Sequence, residues 1–271
     1  MLFCINYCKT ADALFKNGAL AIDRYKCPDW PDLVHEVTQT CHVAVHFDLI
    51  AGNGHLAETD WEVVDRLAAM TDTPYINVHL GAMASDYPSV SLDHPSSGDA
   101  LQITKKYITE VNELARRFGS HRVIVENVPY TSTAGKILRT SVEPEIITCV
   151  IQETDCGLLL DLAHARISAH YLGMPAWDYV MKLPLERLKE LHITGVQPVN
   201  GVLNDHLALT EEDWAFLKRA LEMIRLGDWP LPWMAAFEYG GLGQVFAWRN
   251  EPSVIANQAP KLYRMIKELT D

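Results

Sequence analysis

The sequence predicts an α/β fold, a single (β/α)8 barrel over residues 1–271, on three observations. Eight short β-rich runs are separated by longer stretches of helical periodicity. The length, 271 residues, is the usual size for eight β/α units. No Pro/Gly/Ser-rich linker or shift of composition divides the chain.

Taken in order, LFCINY near residue 2 predicts the first strand, ALAID near 19 the second, HVAVHF at 42 the third and YINVHL at 75 the fourth. GAMASDYPSVSLDHPSSGD, residues 81–99, carries the prolines and serines of a long loop over one mouth of the barrel, a candidate lid or peptide contact. In the helix that follows, Ile103, Tyr107, Val111 and Leu114 recur at helical spacing and Gly119 supplies the stop. RVIVEN at 122 is the fifth strand, EPEIITCVIQET a helix, and GLLLDL at 157 a sixth strand buried on both faces. LKELHI at 188 and WMAAFE at 233 complete the set, with VNGVLNDHLAL as a loop and EEDWAFLKRALEMIR as a helix between them.

A formal net charge of −12 argues against a surface built to neutralise phosphates, so no nucleic-acid partner is expected. Six cysteines without a CxxC pair, no apolar run of membrane-spanning length, and a start, MLFCINYCKT, unlike a signal peptide predict a cytoplasmic protein with reduced, mostly buried thiols and no membrane partner.

Chemistry concentrates at the strand ends. His46, His79, Glu126, Asp161, His192 and Glu238 each close a predicted strand. In a barrel those ends point to one face, so residues far apart in sequence converge. Burying Asp161 directly after three leucines would cost several kcal/mol without a partner. Singly, a strand-end histidine is more often structural and an acid there can cap the next helix, but six separate structural explanations are less economical than one shared cavity. His164, three residues after Asp161, and His206, beside Asn204 and Asp205, extend the set beyond what one zinc ion uses. The set points to two or more metal ions bridged by a carboxylate, with N/O ligation suited to iron, manganese or zinc. His42 lies at the other end of the strand from His46, which is the favoured ligand. His35, His55, His94, His121 and His170 read as solvated, Trp61, Trp177 and Trp214 as packing residues, and GGLG at 240–243 as a weak glycine signal.

The pieces VHLGAM, VIVENVPY, GLLLDLAHARISAHYLG, LKELHITG, DHLALTEEDWAFL and the glutamate of AAFEYGG resemble the multinuclear non-haem iron-dependent oxidases (DUF692 proteins), which are xylose-isomerase-like barrels. The resemblance runs along most of the chain. It implies two or three iron ions, where the ligand chemistry alone leaves zinc or manganese as alternatives, and O2-dependent modification of a cysteine or other residue in a ribosomally made precursor peptide. It also implies a peptide-recognition partner protein. By the same resemblance His46, His79 and Glu126 hold one metal. Glu126 as bridge, Asp161, His192 and Glu238 hold a second, and His164 with the segment Asn204 to His206 a third. Where relatives have Asp-x-His, this chain has Asn204, Asp205, His206. Either Asn204 replaces the acid through its amide oxygen or Asp205 takes over with a shifted loop, and the third metal is expected to be weak or absent. The chain starts almost inside its first strand, so a peptide-binding surface built there in longer members is expected to be reduced.

Three other readings compete: a divalent-metal sugar isomerase or epimerase of the same fold, a metal-dependent phosphodiester hydrolase, and a metal-binding scaffold without turnover. The hydrolase would need phosphate contacts that the acidic composition does not favour. No residue stands out as a separate general base.

Overall fold

The computed structural model describes residues 1–243 and 246–269. The first half of the chain runs β1 (Leu2–Asn6), α1 (Lys9–Lys16), β2 (Arg24–Pro28), α2 (Pro31–Thr38), β3 (Val43–His46), β4 (Ile50–Ala51), α3 (Trp61–Thr71), β5 (Ile76–Leu80) and α4 (Ser97–Phe118). It continues through β6 (Val123–Glu126), α5 (Pro144–Thr154), β7 (Gly157–Asp161), α6 (Leu162–Leu172), α7 (Ala176–Val180) and β8 (Leu188–Ile193). After β8 come β9 (Gly195–Val199), β10 (Val202–Leu207), α8 (Glu211–Leu226), β11 (Met234–Phe237) and α9 (Pro252–Lys267).

Nine strands form one parallel sheet in the order β3-β2-β1-β11-β8-β7-β6-β5-β4. Because β3 and β4 follow one another in the chain, they make one interrupted stave, and the sheet is an eight-staved α/β barrel. The seam between β3 and β5 is closed by side chains. Asn77 accepts from the Phe47 N–H at 2.8 Å and donates to the Phe47 carbonyl at 3.0 Å, and Thr73 Oγ1 accepts from the Val45 N–H at 3.0 Å.

The outer faces of the staves pack under the helices. In α4, Ser96 and Asp99 form a capping box, and Ile103, Tyr107, Val111 and Leu114 make the buried stripe that the spacing predicts. Each such side chain contributes about 1.5–3 kcal/mol of burial. Thr210 and Asp213 cap α8 in the same way.

Two expectations fail locally. The second strand is RYKCP, not ALAID: Ala19 donates to the Leu14 carbonyl in the turn that ends α1, with Gly18 at φ 77°. Tyr25 and Cys27 face the helices while Lys26 faces the barrel axis, so the polar residue is the inward one and the usual pattern is inverted. The stretch after β8 is a hairpin rather than a loop. Asn200 and Gly201, at φ 53° and 81°, form the left-handed turn between β9 and β10. No helix among the described residues is long and apolar enough to cross a membrane. Of the six free cysteines, Cys4, Cys8, Cys27 and Cys156 are buried.

Candidate metal centre

His46, His79, Glu126, Asp161 and His192 lie at the carboxyl ends of their strands, and Glu238 directly follows β11. Register makes them neighbours: His79 pairs with Glu126, and Asp161 with His192. His46 Nε2 lies 3.3 Å from His79 Nε2, and these two atoms are 3.6 and 3.1 Å from Glu126 Oε2. The other Glu126 oxygen is 3.5 Å from His192 Nδ1, which is 3.9 Å from Asp161 Oδ2 and 3.2 Å from Glu238 Oε1. Two ligand groups result, His46/His79/Glu126 and Glu126/Asp161/His192, in each of which the donor atoms all lie within 4.8 Å. Glu126 belongs to both.

Three atoms of these groups, Glu126 Oε2, Asp161 Oδ2 and His192 Nδ1, are buried without a hydrogen-bond partner. Leaving such groups unsatisfied costs about 1–3 kcal/mol each, more for a charge. Two acceptors and a ring nitrogen aimed at one another are what a cation would satisfy together, so the residues fit metal ions. Asp161 also caps α6, since its other oxygen accepts from the His164 N–H at 2.8 Å. The cap and the atom free for a metal are different oxygens of one carboxylate.

The imidazoles are fixed from behind. His79 Nδ1 meets the Leu49 carbonyl at 3.1 Å, His164 Nδ1 the Asn127 carbonyl at 2.8 Å and His206 Nδ1 the Glu238 carbonyl at 2.8 Å. His192 Nε2 meets the Glu190 carboxylate at 2.8 Å. One nitrogen of each ring is anchored and the other is turned to the centre, the arrangement that orients metal-bound histidines.

The field inside is dominated by the acids. Burial pushes Glu126 up, but His79 and His192 outweigh it and hold it well below the usual carboxylate range. Burial raises Asp161, with His164 only partly opposing. Burial would lower His192, yet Glu238 and Glu126 hold it at about 10. His46 goes the other way, lowered by burial and by the Lys26 ammonium.

A third cluster lies beside these groups. His164 Nε2 is 2.9 Å from Asp205 Oδ2, and His206 Nε2 is 4.0 Å from Glu238 Oε2. Asn204 is not part of it. Its amide donates to the Val202 carbonyl at 2.9 Å, and Asp205 is the acid beside His164. A bulge in β10 with His206 at φ 54° breaks the alternation that would separate residues 205 and 206. Among the described residues no third group of three donor atoms gathers as tightly as the first two.

A family model described as "RiPP precursor modification enzyme MbnB/TglH/ChrH" matches residues 28–232. The chain belongs to the MbnB/TglH/ChrH family. Among relatives of this family member, a UPF0276 protein of Paraburkholderia phytofirmans is 32% identical over 122 residues, 45% of this chain and 38% of that one. A UPF0276 protein of Chromobacterium violaceum is 25% identical over 220 residues, 79% and 74% of the two chains. Against the first curated relatives the chain spans about half of their length or less, between 38% and 52%. Among solved structures, the 3-keto-D-glucoside 4-epimerase YcjR of E. coli superposes with a TM-score of 0.55 at 14% identity, over 97% of this chain and 99% of that one. An AP endonuclease, family 2, of Brucella melitensis gives 0.52 at 15%, over 96% and 99%. A xylose isomerase-like TIM barrel/4-hydroxyphenylpyruvate dioxygenase fusion protein gives 0.54 at 12%, over 92% and 41%. These likenesses show the barrel fold.

In this MbnB/TglH/ChrH-family barrel the centre opens into a cavity of about 370 Å³ whose wall includes Tyr7, Lys26, Trp30, Gly240, Leu242 and Phe246. Lys26, buried and paired with Glu238, carries no sequence signal, because a lysine pointing inward breaks the hydrophobic pattern that marks a strand. Glu190 lies two residues before His192 on one strand, a same-face spacing that could have revealed it. Arg249 donates to the Asp205 carbonyl at 2.8 Å, and no sequence signal pointed to it. The GGLG segment lines the mouth: a Cβ on Gly240, at φ 79°, would sit 2.0 Å from Asn250 Oδ1. No residue of the 81–99 loop lines the cavity. That loop is pinned elsewhere, through Tyr87 to the Gly52 carbonyl at 2.6 Å and Tyr130 to Asp93. His42 precedes β3 at the opposite end from His46, and His35, His55, His94, His121 and His170 are exposed.

Proposed function

We propose that this chain oxidises a residue, cysteine foremost, of a ribosomally made precursor peptide, using two or three iron ions and O2, with a peptide-recognition partner protein presenting the peptide. The observation that carries the reading is Glu126, one acid placed at the meeting point of two ligand groups. Family membership supports the peptide as substrate class. Bound iron would supply the redox chemistry and favour the thiolate of a cysteine that reaches it.

The remaining work falls to the chain's own side chains. The cavity holds an amino-acid side chain and its neighbours, within the usual range for a binding site. Tyr7, Leu242 and Phe246 provide an apolar wall that limits water around the centre. Trp30, 49% exposed, stands at the mouth where an incoming peptide would pass, and Gly240 and Gly241 let a backbone approach closely. Among the described residues the one lysine or arginine lining the cavity is Lys26, already paired with Glu238, which weighs against phosphodiester hydrolysis.

Metal content per chain and the Mössbauer spectrum, after anaerobic purification from iron-supplemented cells, test the reading. A coupled cluster is expected in the parent protein, and Glu126→Gln is expected to lose both ions, with iron falling to below about a tenth. A single zinc or manganese ion, or none, would sink the oxidase and leave the epimerase or the scaffold. Oxygen consumption with cysteine-containing precursor peptides then separates those two from it.

A further inference from the structure

Among the described residues Lys26 is the one ammonium inside the barrel mouth, and its position bears on how many ions the centre takes. β2 contributes no ligand at its end, where Pro28 pairs with His46. Lys26 lies two residues earlier, 6% exposed, and its Nζ is ion-paired with Glu238 Oε1. That same oxygen is 3.2 Å from His192 Nδ1, beside the second ligand group.

The acid of the third cluster is engaged too. Asp205 receives the His164 ring nitrogen at 2.9 Å, and the Arg249 guanidinium lies 3.9 Å from its other oxygen. Three carboxylates beside the centre lie outside the paired ligand groups: Glu238 and Asp205 each already face a cationic side chain, and Glu190 holds the far nitrogen of His192. Charge points the same way. Among the side chains in ion-pair range of the centre, Glu126, Asp161, Glu190, Asp205 and Glu238 stand against Lys26 and Arg249, five negative charges against two positive, with Asp29 and Asp48 more exposed on the cavity wall. Two divalent ions turn the remainder into a single positive charge, which one thiolate cancels. A third ion would leave three positive charges in a buried site, which is costly without further anions.

We propose that Lys26 is a built-in cation of the centre, holding one oxygen of Glu238 so that the cavity takes two divalent ions and not three. This rests on the metal-centre reading above and deepens it. Lys26 is a positioning residue, acting through Glu238.

Equilibrium dialysis of the metal-stripped full chain against Zn2+, with metal read by mass spectrometry, tests it. The parent protein is expected to saturate at two ions per chain. Lys26→Met is expected to saturate at three, the added ion drawn by the unpaired charge of Glu238, whose Oε2 faces His206 Nε2 at 4.0 Å. The double variant Lys26→Met with Glu238→Gln is expected to return below three, and Lys26→Gln, which keeps a hydrogen-bond donor for Glu238 without the charge, serves if Lys26→Met does not fold, with three ions again expected. Three ions in the parent protein would overturn the inference, as would unchanged capacity and affinity in Lys26→Met. Fewer than two ions in the parent protein removes the shared-acid reading itself, and this inference with it.

Discussion

At the scale of single residues, the centre is a set of charges that protons and metal ions compete for. With His192 held at about 10 by Glu238 and Glu126, the metal-free ring is protonated at neutral pH, and its Nδ1 must give up that proton to bind a metal. Metal loading is therefore expected to release protons, and affinity to rise by up to about tenfold per pH unit between neutrality and about pH 10 for each proton displaced. In the empty protein the sign is that of a raised histidine: the stabilisation is present below the ordinary histidine range and fades as pH climbs through the folded value. Calorimetry of Zn2+ binding in buffers of different ionisation enthalpy measures the protons released. No net release at pH 7 would contradict the assignment of Nδ1 as a donor atom. Residues of this kind were readable where chemistry and strand end coincided. Asp161 stood out because an acid after three leucines needs a partner. Composition does not separate Asp205 from Asn204, because a bulge decides which of them turns inward.

At the scale of elements, most staves were legible because β-branched and aliphatic runs sit against helices on one side and a filled barrel on the other. β2 escaped because Lys26 points to the axis, which a hydrophobic pattern cannot anticipate. The β9/β10 hairpin carried an Asn-Gly signal in the sequence, but its strands are half-exposed and bear mixed polar residues. The seam between β3 and β5 has no sequence signature, since it depends on the Asn77 amide and the Thr73 hydroxyl reaching backbone groups of the neighbouring stave. Asn77→Ala would leave the buried Phe47 N–H and C=O unpaired and is expected to cost about 2–4 kcal/mol. It should also weaken metal binding at His46, the residue just before Phe47. Urea unfolding and metal titration of the variant check both, and a loss under about 0.5 kcal/mol would mean that another contact closes the seam.

At the scale of the whole molecule, the two ligand groups draw on β3, β5, β6, β7 and β8, so metal binding ties together staves on both sides of the seam. A ligand at a hundred times its dissociation constant stabilises by about 2.7 kcal/mol, and a chain of this size gains about 2–4 °C per kcal/mol, so loading is expected to raise Tm by about 5–10 °C. Thermal melts with metal and with chelator measure it, and equal melting temperatures would argue against a centre of this kind. The two ions should not behave alike. His46 and His79, 22% and 19% exposed, face each other across the side-chain seam, whereas Asp161 and His192, both fully buried, sit on adjacent strands joined by backbone pairing. Local breathing can part the first pair without breaking a ladder. Chelator should therefore strip the centre in two kinetic phases, the ion at the seam leaving first and the ion on the β7/β8 side leaving slowly. The barrel would then have one labile position and one inert one, open to stepwise assembly with two different metals.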